Sequence, residues 1–129
     1  MKLNYVILVF SLLAISCSPK FDITDHFDPS LPVKVIDQYP PSPVRTFEID
    51  QNDPRHAKLV SWLKSNNDGW KKTDHDTHAG LIIVRQDDFV ILLYRDNDMV
   101  VAGYDAVGND MKQFKRVMDS NELMFIVDD

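Results

Sequence analysis

The sequence predicts an α+β domain, a small antiparallel-rich sheet in the order β-α-β-β-β-α-β with two helices packed on one face. Two observations carry this. Between Leu81 and Ala102, apolar and β-branched runs are separated by short polar loops, the mark of successive hairpins. On either side of that stretch, apolar residues recur at three- and four-residue intervals behind capping side chains, the mark of amphipathic helices. The chain has 129 residues, 44% hydrophobic and 26% charged, which suits one compact domain and leaves no room for two.

The elements follow in order from Val44. Val44-Arg45-Thr46-Phe47-Glu48-Ile49 alternates apolar and polar residues, the period of a half-buried strand. Asp53 as N-cap acceptor and Pro54 in the first turn then open a helix with His56, Leu59, Val60 and Leu63 on one face and Trp62 at its border. Asn66-Asn67-Asp68-Gly69 ends it, with Gly69 free to turn left-handed. Leu81–Arg85 meets Phe89–Tyr94 across Gln86-Asp87-Asp88, and that strand meets Met99–Ala102 across Asp96-Asn97-Asp98. After Gly108, Asn109 or Asp110 caps a second helix in which Met111, Phe114, Val117 and Met118 point one way. Leu123-Met124-Phe125-Ile126-Val127 is apolar enough for a strand inside the sheet.

Upstream, residues 1–16 have the order of a secretory signal, with Lys2 at the positive end and an almost unbroken apolar run from Tyr5 to Ile15. A membrane-spanning helix needs roughly 20 apolar residues, so the run is too short to span. Leu13-Ala14-Ile15-Ser16-Cys17 resembles a bacterial lipobox, which implies diacylglycerol on the Cys17 thiol and cleavage just before it. Ala14 stands where leucine or valine is usual. The competing account is an ordinary cleaved signal with an incidental cysteine. Cys17 is the sole cysteine, so once acylated it leaves no thiol for catalysis, a metal or a disulfide. Ser18 after it, rather than Asp, implies by the same resemblance an outer-membrane, periplasm-facing anchor in a Gram-negative cell, with the inner membrane as the alternative.

Six of the seven prolines lie between Cys17 and Val44. Residues 17–43 therefore read as a lipidated terminus and Pro-rich spacer, and 44–129 as the single domain. Leu31, Val33, Val35 and Ile36 leave a second option, in which part of the spacer lies along the domain or forms an edge strand. Removing residues 1–16 takes away only Lys2, moving the net charge from -6 to -7. That excess argues against nucleic acid or a bare anionic surface as partner and permits a basic protein.

Trp62-Leu63, then Gly69-Trp70, then a polar run leading into Leu81–Val84 and Val90–Tyr94, is similar to a group of small bacterial lipoproteins of uncharacterised function. Some such lipoproteins look like immunity proteins that bind antibacterial effectors in the periplasm. The resemblance implies a domain from near Val44 to the C-terminus and supplies no catalytic motif. Residues 71–79 depart from the tyrosine-containing loop of that group.

The densest polar cluster is Asp74-His75-Asp76-Thr77-His78 behind Lys71 and Lys72. Imidazoles and carboxylates suit zinc, but no cysteine or distant partner completes a site. A solvated turn is the plainer reading, and Lys71, Lys72, Asp74, His75, Asp76 and His78 are retained as a candidate protein-contact loop beside Trp70. Trp70 itself is expected to fold back on the helix rather than anchor an interface. Asp96-Asn97-Asp98 lacks the glycine and glutamate of a calcium loop, and His56 reads as a packed helix residue. No nucleophile elbow, phosphate loop or zinc-protease motif occurs. The expectation is thus a non-catalytic envelope lipoprotein, without cofactor or metal, that tethers or binds another envelope component through its domain. A periplasmic immunity protein and a metal- or small-ligand-binding lipoprotein are the alternatives.

Overall fold

The computed structural model describes residues 21–39, 43–73, 81–94, 98–106 and 110–128. Among the described residues the fold is α+β, built on one antiparallel sheet of seven strands. In chain order these are β1 (Val33–Asp37), β2 (Arg45–Ile49), β3 (Lys71–Thr73), β4 (Ile82–Gln86), β5 (Phe89–Tyr94), β6 (Met99–Ala106) and β7 (Asp110–Val117), with helix α1 (Pro54–Ser65) between β2 and β3. Their order across the sheet is β2-β1-β4-β5-β6-β7-β3.

Local chemistry explains the best-defined pieces. Asp53 Oδ1 accepts from the Arg55 amide at 2.9 Å, capping α1 while Pro54 fills the first turn. Past the Asn66 cap, Gly69 takes φ +78, a left-handed turn that admits glycine without strain. Trp70 folds back on the helix end, its indole donating to the Asn66 carbonyl at 2.7 Å and meeting Trp62 edge-on. The β4–β5 connection is tighter than the expected three-residue loop. Gln86 pairs with Phe89, so only Asp87 and Asp88 turn the chain, with Asp87 at φ 47.

Three elements differ from the sequence expectation. Asp110–Val117 is a strand rather than a helix, because all eight residues find partners on β6, from Ala106↔Asp110 to Met99↔Val117. The apolar residues that would have shared a helix face are split: Phe114 faces the core, whereas Met111 and Val117 lie 45% and 78% exposed on the other side. Ser120–Ile126 is a 3₁₀ helix rather than a strand, opened by Asp119, whose side chain accepts from the Asn121 amide. Its i, i+3 spacing puts Leu123 and Ile126 on one buried line. Finally, the fold begins well before Val44. β1 lies inside the sheet between β2 and β4, and Phe21, Ile23 and Phe27 are buried in the main core. The spacer reading therefore fails from Phe21 onward, because these side chains cover a sheet face that would otherwise be wet.

One row of side chains shows how the sheet builds that core: Phe47, Val35, Val84, Ile91, Ala102 and Phe114 stand side by side across six strands. Leu59, Trp62 and Leu63 of α1, with Leu123 and Ile126, join this face. Leu81, Val90, Leu92, Tyr94 and Val101 form a second buried cluster from the opposite set of positions.

Candidate functional site

The segment from Phe21 to Leu31 is a strap across the end of the main core, and other parts of the chain hold it. Asp22 opens its 3₁₀ turn (Ile23–Asp25), accepting from the Thr24 amide at 3.0 Å and the Thr24 hydroxyl at 2.6 Å. The hydroxyl bond is the main reason the Asp22 carboxyl sits below its ordinary value, against a smaller opposing effect of burial. Asn67 accepts from the Ile23 amide at 3.0 Å. Buried Gln86 grips the strap at both ends of its amide: Oε1 accepts from the Asp28 amide at 2.6 Å, and Nε2 donates to the Asp28 and Leu31 carbonyls at 2.8 and 3.1 Å. His56, also buried, reaches the Leu31 carbonyl through Nε2 at 2.8 Å. A carbonyl only accepts, so Nε2 carries the proton. His56 is thus a structural residue of α1, as its sequence context suggested.

Aromatic stacking completes the strap. Phe21 lies on Phe114 with centroids 4.1 Å apart, and His26 lies on Tyr104 at 3.8 Å, both nearly parallel. Desolvation within this stack holds the His26 imidazole below its ordinary value, although Asp25 and Asp22 pull the other way.

Between the strap, the β4–β5 turn and the end of β6 opens a cleft of about 260 Å³. His26 and Tyr104 form its aromatic wall, and Asp25, Asp28, Asp87, Asp88 and Asp105 line its rim. Asp28 is held below its usual range by the Ser30 hydroxyl and amide. Five carboxylates beside an aromatic wall make a negative field suited to lysine or arginine side chains, since such fields steer and select cationic groups. Among the described residues, no group of three or more histidine, cysteine or acidic side chains is placed to hold one metal ion. A wider, shallow groove of about 730 Å³ lies at the start of α1, lined in part by Arg55, Lys58 and Phe125. Arg55 is committed there to Asp53 at 2.7 Å and to the Ile126 carbonyl at 3.2 Å.

Of the residues singled out from sequence, Lys71 and Lys72 lie exposed on β3, the edge strand beyond β7. Asp74, His75, Asp76 and His78, like Cys17, fall outside the described residues. Trp62 is buried in the core. The cleft was missed because its acids come from three separate stretches, each unremarkable alone; Asp25-His26-x-Asp28 was the available signal.

In comparisons with known proteins, no family model, no curated protein and no solved structure matches this chain.

Proposed function

We propose that the protein is a non-catalytic bacterial envelope lipoprotein, acylated at Cys17, that holds or binds another envelope protein through its domain. The observation that carries the reading is the junction between the lipobox-like Leu13–Cys17 and the folded core. Phe21 is buried in that core and only Ser18, Pro19 and Lys20 separate it from Cys17. An export signal of this form runs directly into a domain, as expected of a protein whose domain works at a membrane surface. The periplasm-facing leaflet of the outer membrane is the proposed location.

A second reading is favoured by the acidic cleft. As an immunity protein, the chain would present Asp25, Asp28, Asp87, Asp88 and Asp105 to a basic effector, where complementary charge raises encounter rate and selectivity. Two experiments address these readings. Mass spectrometry of the mature protein should find acyl groups on Cys17, and Cys17→Ala should leave an uncleaved or soluble product. Capture from envelope extract should recover a protein that a cleft variant, Asp87→Asn with Asp88→Asn and Asp105→Asn, recovers poorly. An unmodified cysteine on mature wild-type protein ends the lipoprotein reading, and equal capture by the cleft variant ends the cleft's role.

A further inference from the structure

The two strands at one side of the sheet carry an unusual charge distribution. Lys71-Lys72-Thr73 on β3 and Asp110–Val117 on β7 contain five lysines and arginines and one acidic residue, Asp110 at the far end of β7, in a chain with 20 acidic and 14 basic side chains. The register sets Lys71 directly opposite Lys115. Like charges directly opposite on neighbouring strands destabilise a sheet, so stability of the isolated fold does not account for the pair. Arg116 turns to the other side, where its guanidinium bonds Asn66 at 2.8 Å. Along β7, strand alternation places Lys115 on the same face as Met111 and Val117, which are 45% and 78% exposed. Cationic and apolar side chains interleaved on one exposed edge match a phospholipid surface, whose headgroups take the charge and whose interface takes the apolar groups.

Phe21 stacks on Phe114 of β7 on the core face, opposite the face that bears Met111, Lys115 and Val117. Four peptide units of chain from Phe21 to Cys17 reach at most about 14 Å, which tethers an acyl group on Cys17 to the same edge of the sheet.

We propose that the β7–β3 edge, through Lys71 and Lys115 with Met111 and Val117 on one face, docks on an anionic phospholipid membrane. The proposal rests on the lipoprotein reading for its biological setting. Its physical content is a second membrane contact, of the kind that combines with an acyl chain into a stable attachment. The net negative charge of the chain is no obstacle, because attraction is set by the charges within a Debye length of the surface, about 10 Å at 0.1 M salt.

The test uses the unacylated mature chain, Cys17 to Asp129, which contains the whole described core. Its co-flotation with vesicles of phosphatidylethanolamine and phosphatidylglycerol is compared with flotation on phosphatidylcholine alone. Retention is expected on the anionic vesicles only and should fall steeply with added salt. Lys71→Gln with Lys115→Gln should weaken it about 25-fold, at about fivefold for each lysine near the surface. A control that neutralises exposed Lys34 and Lys58 removes the same charge elsewhere and should leave retention unchanged. Both variants must keep the wild-type circular dichroism and melting curve. Absence of retention by wild type at low salt, equal retention on neutral vesicles, or equal loss in the two double variants overturns the proposal. Because the assay omits the acyl group, it stands or falls separately from the mass-spectrometric test of Cys17.

Discussion

The strap at Phe21–Leu31 and the C-terminal 3₁₀ segment at Ser120–Ile126 close the same sheet face by different physics. Each begins with an aspartate that caps the amide two residues on. The C-terminal segment then inserts two fully buried aliphatic side chains, Leu123 and Ile126, and guanidinium groups receive its last carbonyls: Arg45 bonds Val127 at 2.9 Å and Arg55 bonds Ile126 at 3.2 Å. The strap inserts Ile23 fully, then depends on stacked rings and on the amide of Gln86. Burial tolerates small displacements, whereas stacking and paired hydrogen bonds require position. The strap should therefore respond to polar substitutions and to pH, and the C-terminal segment chiefly to lost volume.

The largest effect should come from emptying the C-terminal segment. Leu123→Ala or Ile126→Ala should each cost about 2–5 kcal/mol, a large part of a small domain's stability, read by equilibrium urea unfolding. A cost below about 1 kcal/mol would mean that the segment collapses around the loss and that burial does not hold it.

Next, Gln86→Ala leaves the Asp28 amide and two carbonyls without this partner, for an expected loss of about 1–3 kcal/mol. Hydrogen exchange sharpens the contrast: amides of residues 22–31 should lose protection while those of 120–126 keep theirs. Equal loss in both segments would show that the two do not open separately.

Phe21→Leu keeps a large apolar side chain but removes the parallel stack on Phe114. The expected cost is about 0.5–1.5 kcal/mol beyond any change in buried area, from aromatic pairing. If the variant is as stable as wild type, Phe21 contributes only area.

The smallest effect concerns pH. The His26 value is lowered in the fold from an ordinary 6.5, mainly by desolvation. The unfolded chain then binds more protons between the two values, so stability is full above about pH 6.5 and declines as pH falls toward the lowered folded value. His26→Phe should flatten that part of the profile in melting curves between pH 5 and 7.5. An unchanged slope in the variant would assign the pH dependence to other groups.

Legibility followed how local each signal was. Helix α1 was readable because cap, first-turn proline and periodicity all lie within Asp53–Ser65. The β4–β5–β6 meander was readable because its loops are short and its runs strongly apolar. Asp110–Val117 was not, since Met111, Phe114, Val117 and Met118 satisfy helical spacing and only pairing with β6 decides against it. Leu123–Val127 is an unbroken apolar run without a period, and its 3₁₀ form shows only in the structure, where Leu123 and Ile126 are buried beside α1 and β5. Prolines hid the strap: Pro29 and Pro32 mark the bend before β1, while the buried Phe21, Ile23 and Phe27 carry no periodic signal. Of the site, Lys71 and Lys72 were singled out for a loop and stand on an edge strand instead. The acidic cleft depends on residues up to 80 positions apart, Asp25 and Asp105, and no local pattern joins them.

The folded core takes in Phe21, Ile23 and Phe27, well upstream of Val44, so this stretch is part of the domain rather than a spacer. Equilibrium urea unfolding of two chains, one beginning at Ser18 and one at Leu31, tests this directly. The shorter chain lacks Phe21, Ile23 and Phe27, each worth about 1.5–3 kcal/mol when fully buried. It should show a midpoint far below that of the longer chain, or no cooperative transition. Equal midpoints and equal slopes for the two chains would contradict the account.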